Sequence, residues 1–93
     1  MYWKLSTEQK KKLSKILLLA IKLNEIDGYF VFIDFQGHTK EIILDICFEN
    51  ITNHVYQNEA QYSKSHTDAT VFDKNTSEMI TELKKNIRKP KKP

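Results

Sequence analysis

The chain is poor in the residues that interrupt or cross-link a backbone. Its 93 residues include only two glycines and two prolines, and both prolines fall in the last four positions. Long irregular loops are therefore not expected ahead of that end, apart from one polar stretch from Asn50 to Thr67. Cys47 is the single cysteine, which excludes an internal disulfide. Its place inside an apolar run is that of a small buried hydrophobe. Arg88 is the only arginine. Sequence-specific DNA reading depends on guanidinium forks, so that class is disfavoured, while lysine-driven binding to phosphate stays open. Long hydrophobic runs are also missing: Leu17 to Ile21 is too short to span a bilayer and is broken by Lys22. Lys10, Lys11 and Lys12 ahead of Leu17-Leu18-Leu19 superficially look like a secretory signal. Asn24-Glu25-Ile26-Asp27 follows instead of a small-residue cleavage site, so a cytoplasmic location is expected. On that basis the glycosylation patterns Asn50-Ile51-Thr52 and Asn75-Thr76-Ser77 are read as chance.

What is present suits one domain. Hydrophobic residues make up 40% and charged residues 29%, with a formal net charge of +3, values too apolar for full disorder. Ser6, with Gln9 three positions on and Glu8 in the first turn, predicts a capped helix start. Leu13, Ile16, Leu17, Ala20, Leu23 and Ile26 recur at helical spacing, Leu19 widens the stripe, and Gly28 supplies a stop. A helix is predicted from about Thr7 to about Ile26.

Tyr29 to Phe35, dense in aromatic and β-branched residues, reads as a strand, and Gln36-Gly37-His38-Thr39 as a turn. Glu41 to Phe48 alternates, with Ile42, Leu44, Ile46 and Phe48 on one side and Glu41, Asp45 and Glu49 on the other. An even loop sets Tyr29, Val31 and Ile33 beside Ile42, Leu44 and Ile46. An odd loop without a bulge would split that set between two faces. Asn50 to Thr67 could extend the second strand, form a long hairpin loop or stay mobile. Asp68 to Asp73 reads as a short third strand. Asn75 is then predicted to cap a second helix with Met79, Ile80, Leu83 and Ile87 as its stripe. The expectation is a single α+β domain over residues 1–89, ordered α-β-β-β-α. A three-stranded antiparallel sheet carries both helices on one face, and residues 90–93 form a basic disordered tail.

Catalytic chemistry is hard to find. His38, His54 and His66 are far apart, and none has a ligand at metal-binding spacing. Asp34 and Glu41 flank the turn and could face each other, but nothing implies a pocket around them, and no glycine-rich phosphate loop occurs. No enzymatic activity and no cofactor are expected. Two surfaces remain. The hairpin's second face carries Phe30, Phe32, Ile43 and Cys47 among Asp34, Glu41 and Asp45. Left uncovered, it would suit a second copy of this chain as well as a foreign protein. The alternative is that the second helix or the Asn50 to Thr67 segment folds across it. The other surface is basic: Lys11, Lys12 and Lys15 near the start of the first helix, and Lys85, Arg88 and Lys89 at the end of the second. Brought together, they would contact phosphate or an acidic protein surface.

The order of these segments is similar to that of small accessory proteins encoded by phages and mobile elements of Gram-positive bacteria. The resemblance is carried by Asn24-Glu25-Ile26-Asp27-Gly28, by Tyr29 to His38 with Ile42-Ile43-Leu44-Asp45-Ile46, and by a late short strand leading into an Asn75-capped helix. It covers most of the chain as a layout. It implies a protein that acts in the host cytoplasm by binding a host effector, anti-CRISPR proteins being the best-known class, so that a CRISPR effector nuclease would be a partner. Inhibitors that mimic DNA are strongly acidic, whereas this chain is basic, which points instead to docking on a protein domain. Non-specific nucleic-acid binding through lysine is the second expectation.

Overall fold

The computed structural model describes residues 5–36, 41–61 and 69–90. The first helix, α1, spans Thr7–Asn24. Its start is the predicted capping box: the Gln9 N–H donates to Ser6 Oγ at 3.1 Å, and the Ser6 N–H donates to Gln9 Oε1 at 2.9 Å. Glu25 caps its end, two residues short of Ile26. The chain turns early because Ile26 N–H bonds back to Leu23 O, and Tyr29 N–H bonds to Ile26 O, so Asp27 and Gly28 form the corner. Gly28 takes φ 92°, which a side chain would disfavour.

The strands β1 (Tyr29–Gln36) and β2 (Glu41–Phe48) pair antiparallel with Val31 opposite Ile46 and Ile33 opposite Leu44. Four residues separate the paired Gln36 and Glu41, so the register is the one that an even loop requires. Gly37, His38 and Thr39 of the predicted turn lie outside the described residues.

The third strand is not where the sequence pattern puts it. β3 is His54–Gln61, antiparallel to β2, giving the order β1-β2-β3. Its alternation is faint because β3 is an edge strand whose inner side holds Tyr56, Asn58 and Ala60 rather than a row of large apolar residues. Asn58 is satisfied there, donating through Nδ2 to Tyr56 Oη at 2.9 Å and to Asn75 O at 3.4 Å. Residues 69–73 are instead the opening of helix α2, Ala69–Arg88. Thr70-Val71-Phe72 favours a strand locally, but Phe72 begins a helical stripe with Thr76, Met79, Leu83 and Asn86, all buried. Burying that stripe outweighs propensities worth about 1 kcal/mol or less each. Asn75 accordingly lies inside α2 and caps nothing. Its side chain donates to Glu59 O at 3.0 Å and so closes part of the exposed edge of β3.

Both helices pack on one face of the sheet, α1 against β1 and α2 against β3, with α1 and α2 in contact. The core joins Ile16, Ala20 and Leu23 of α1, Tyr29, Leu44, Ile46 and Phe48 of the sheet, and Phe72, Met79 and Leu83 of α2. The rings of Tyr29 and Phe48 meet across strands at a tilt of 59°, with centroids 5.0 Å apart. Leu17, counted in the predicted stripe, lies at its margin and is half exposed. Tyr29 Oη donates to Asn86 Oδ1 at 3.1 Å, and Asn86 Nδ2 donates to Glu82 O at 2.8 Å, which satisfies the polar groups buried at the far end of the core.

Candidate functional site

With both helices on one side, the opposite face of the sheet is open. Antiparallel pairing places Phe30, Phe32 and Asp34 of β1 beside Cys47, Asp45 and Ile43 of β2. These in turn face His54, Gln57 and Glu59 of β3. Phe30 and Phe32, on the edge strand β1, are 41% and 49% exposed, large values for aromatic rings paired in a sheet. Ile43 is half-buried, and Cys47, grouped with the exposed residues on its strand parity alone, is fully buried. Asp34 and Glu41 share this face without opposing one another: Asp34 pairs with Ile43, and Glu41 with Gln36. Asp34 accepts from Gln36 Nε2 at 2.9 Å.

The electrostatics of the face differ from those of the whole chain. No lysine or arginine occurs in any of the three strands. Their carboxylates are Asp34, Glu41, Asp45 and Glu59, and strand parity sends all of them to the open side. Among the described residues every lysine and the arginine lie in α1 or α2, except Lys89 just after α2. The face is therefore aromatic along its β1 edge and carries carboxylates on all three strands.

The β2–β3 end of this face is shaped by a bulge. Ile46 pairs with Tyr56, but Cys47 pairs with His54, so Val55 is the extra residue. Strict alternation would send His54 to the helix side with Tyr56 and Asn58. The bulge turns it to the open side, and Val55 packs against the core instead. The connecting turn is held by Asn50, whose Oδ1 accepts from Thr52 N–H at 3.0 Å and Thr52 Oγ1 at 2.6 Å. Asn53 Nδ2 donates to Phe48 O at 2.9 Å. His54 Nδ1 then lies 2.8 Å from Asp45 Oδ1 and 3.5 Å from Cys47 Sγ, while Cys47 Sγ is 3.7 Å from the same carboxylate oxygen. Burial, and after it the Asp45 carboxylate, push the Cys47 thiol above its ordinary range.

Both contacts to the imidazole fall on Nδ1. A nucleophilic triad needs the carboxylate on one ring nitrogen and the nucleophile on the other, so that a proton can cross the ring. Such a relay is absent from this arrangement, and a protonated, buried thiol is a poor nucleophile.

The basic residues divide differently from their sequence clusters. Contacts between the helices advance in step, Gln9 with Asp73, Lys12 with Ser77 and Lys15 with Lys84, so α1 and α2 run in the same direction. Lys12 is engaged in that seam, donating to Asp73 O at 3.3 Å and to Ser77 Oγ at 2.9 Å. Lys15 meets Lys84 across it. Contact with the Lys15 ammonium, its charge, partial desolvation and the Arg88 guanidinium together lower the Lys84 ammonium below its usual range. Lys11, Lys85 and Lys89 are exposed on the helical side.

Sequence reasoning named His54 but gave it no partner, because its own strand, β3, is hidden in a polar segment. The signal available was Asp45 and Cys47 on one strand face, two residues apart. It becomes informative once β3 is known to fold back beside them. His38, His66 and the end of the tail, Lys91 to Pro93, lie outside the described residues. No helix among the described residues is long and apolar enough to cross a membrane. The chain is an α-β-β-β-α domain with a three-stranded antiparallel sheet and both helices packed against it. No protein-family model, curated protein or solved structure matches it.

Proposed function

We propose that this domain is a non-catalytic inhibitor that binds a host defence or nucleic-acid-processing protein through the open face of its sheet. In segment order the chain resembles small proteins encoded by phages and mobile elements of Gram-positive bacteria, although the late strand and the Asn75 cap that helped carry that resemblance are replaced by the start of α2; a CRISPR effector nuclease is a fitting target. One observation carries the reading: a face with Phe30 and Phe32 exposed along its β1 edge holds every strand carboxylate and no strand lysine or arginine, in a chain whose net charge is positive. Exposed aromatic rings ringed by charge of one sign are the makings of a binding hot spot with a complementary rim. A second copy fits poorly, since docking the face on itself would bring two sets of carboxylates together. The complementary partner presents apolar side chains among lysines and arginines. Grooves that hold nucleic acid are built that way, and a partner engaged there loses access to its nucleic acid.

The test is affinity capture from a Gram-positive host lysate by the wild-type chain, Phe32→Asp and Asp34→Lys. Proteins retained by the wild type are then assayed for nucleic-acid binding. The expected result is a salt-sensitive association with a nucleic-acid-processing protein, weakened roughly a hundredfold by Phe32→Asp and competed by that protein's own substrate. Survival of every specific association in both variants refutes the open-face reading.

A second reading rests on the Lys15, Lys84 and Arg88 cluster, where like charges held together offer a site for phosphate. It makes the opposite prediction in parallel assays on duplex DNA. Retention at low salt would be abolished by Lys84→Glu and untouched by Phe32→Asp.

A further inference from the structure

Asp45, Cys47 and His54 form the cluster in this fold whose chemistry the binding face does not use. Their ligand-type atoms all lie within 4.8 Å of one another. The separations, 3.5 Å from Cys47 Sγ to His54 Nδ1, 3.7 Å from Cys47 Sγ to Asp45 Oδ1 and 2.8 Å from His54 Nδ1 to Asp45 Oδ1, outline a triangle. Zinc bonds of about 2.0 to 2.3 Å at tetrahedral angles place sulfur, nitrogen and oxygen ligands about 3.3 to 3.6 Å apart. The two sulfur edges already match to within a few tenths of an ångström. The third is the short edge of a direct hydrogen bond, which opens as an ion replaces the shared proton.

We propose that Asp45 Oδ1, Cys47 Sγ and His54 Nδ1 are three ligands of a divalent zinc-type cation, bound at the bulged end of the β2–β3 hairpin. The donor set points to that class. A thiolate with an imidazole selects zinc and its borderline-soft neighbours over magnesium or calcium, which take oxygen donors. Two anionic ligands and one neutral ring balance a doubly charged ion, and the thiol proton leaves to solvent as the metal–sulfur bond forms. Convergence of both partners on the same ring nitrogen, which defeats a proton relay, is what a shared central ion requires.

The surroundings fit as well. Gln57 Nε2 donates to Asp45 Oδ2 at 3.2 Å, holding the carboxylate so that Oδ1 faces the other two ligands. Cys47 is buried and anchored on the central strand, while the His54 side chain is 43% exposed. The fourth position therefore opens to water on the sheet's free face. The bulge that skips Val55 places the imidazole there, and bulges of this kind commonly re-aim a side chain at a functional site. The ion would sit next to Phe30, the cross-strand neighbour of Cys47. Asp45 is shared with the proposed binding face, but metal binding is read without any partner.

The experiment is titration of the full, reduced, metal-free chain with cobalt(II), followed by competition with zinc(II). The expected result is a near-ultraviolet thiolate-to-cobalt charge-transfer band with intense tetrahedral visible bands, saturating at one ion per chain and removed by zinc. Cys47→Ser should abolish the charge-transfer band. His54→Ala and Asp45→Asn should weaken binding roughly a hundredfold, and Gln57→Ala about tenfold. His54 is exposed, so His54→Ala keeps the test interpretable even where Cys47→Ser impairs folding, and far-ultraviolet circular dichroism checks each variant. A double variant, His38→Ala with His66→Ala, should bind as the wild type does. Absence of the charge-transfer band at saturating cobalt overturns the proposal, as does undiminished affinity in His54→Ala.

Discussion

The two faces of the sheet are built from the same three strands and obey different physics. On the helix side, Leu44 and Ile46 are fully buried under Ile16, Leu23, Phe72 and Leu83, and the polar groups that enter are paired, as Tyr29 is with Asn86. On the open side, rings of similar size stand half in water among carboxylates. The covered face is selected for close packing and tolerates no unsatisfied polar atom. The open face keeps apolar surface that folding does not use. Residues that matter to stability and residues that matter to binding should therefore separate largely by strand parity, Cys47 being buried on the open side and Phe35 half exposed on the other.

That separation can be broken by measurement. Phe72→Ala removes the ring at the meeting point of the covered core and should destabilise the domain by about 3–5 kcal/mol in denaturant unfolding. A loss under about 1 kcal/mol would mean that α2 does not pack as described. Tyr29→Phe deletes one hydroxyl on the same face and leaves Asn86 Oδ1 without its donor, for an expected loss of about 1–3 kcal/mol. Phe32→Thr, on the open face, keeps strand propensity and should stay within about 0.5 kcal/mol of the wild type while impairing partner capture. If Phe32→Thr unfolds the protein as readily as Phe72→Ala does, the face is not free and the contrast between the two sides fails.

Legibility in the sequence followed how strongly each element imposes its own pattern. Ser6 and Gln9 announce α1 because capping is a local interaction between near neighbours. The register of β1 with β2 is readable because a slip of one residue would expose Ile42, Leu44 and Ile46. β3 was illegible for the converse reason: Asn58 and Ala60 occupy its inward positions and need no apolar alternation, since α2 shields them. Thr70-Val71-Phe72 misleads because strand propensity is local, whereas the burial of Phe72 beside Met79 and Leu83 is tertiary. Phe30, Phe32, Asp34, Glu41, Ile43 and Asp45 could be named as one face, but not whether anything covers it. The net charge of +3 concealed that this face is acidic, because composition averages over sides that the fold keeps apart.

The sequence by itself determined the capped first helix, the β1–β2 hairpin and the division of that hairpin into two unequal faces. Those features depend on residues close along the chain or on a two-residue period that tolerates no slip. The tertiary structure alone decided where the third strand lies, and that Lys15 meets Lys84 and Arg88. It also decided that His54 turns outward to join Asp45 and Cys47. Each of these depends on which distant segments share one core. That choice depends on packing summed over the whole chain and leaves little trace in any single stretch of it.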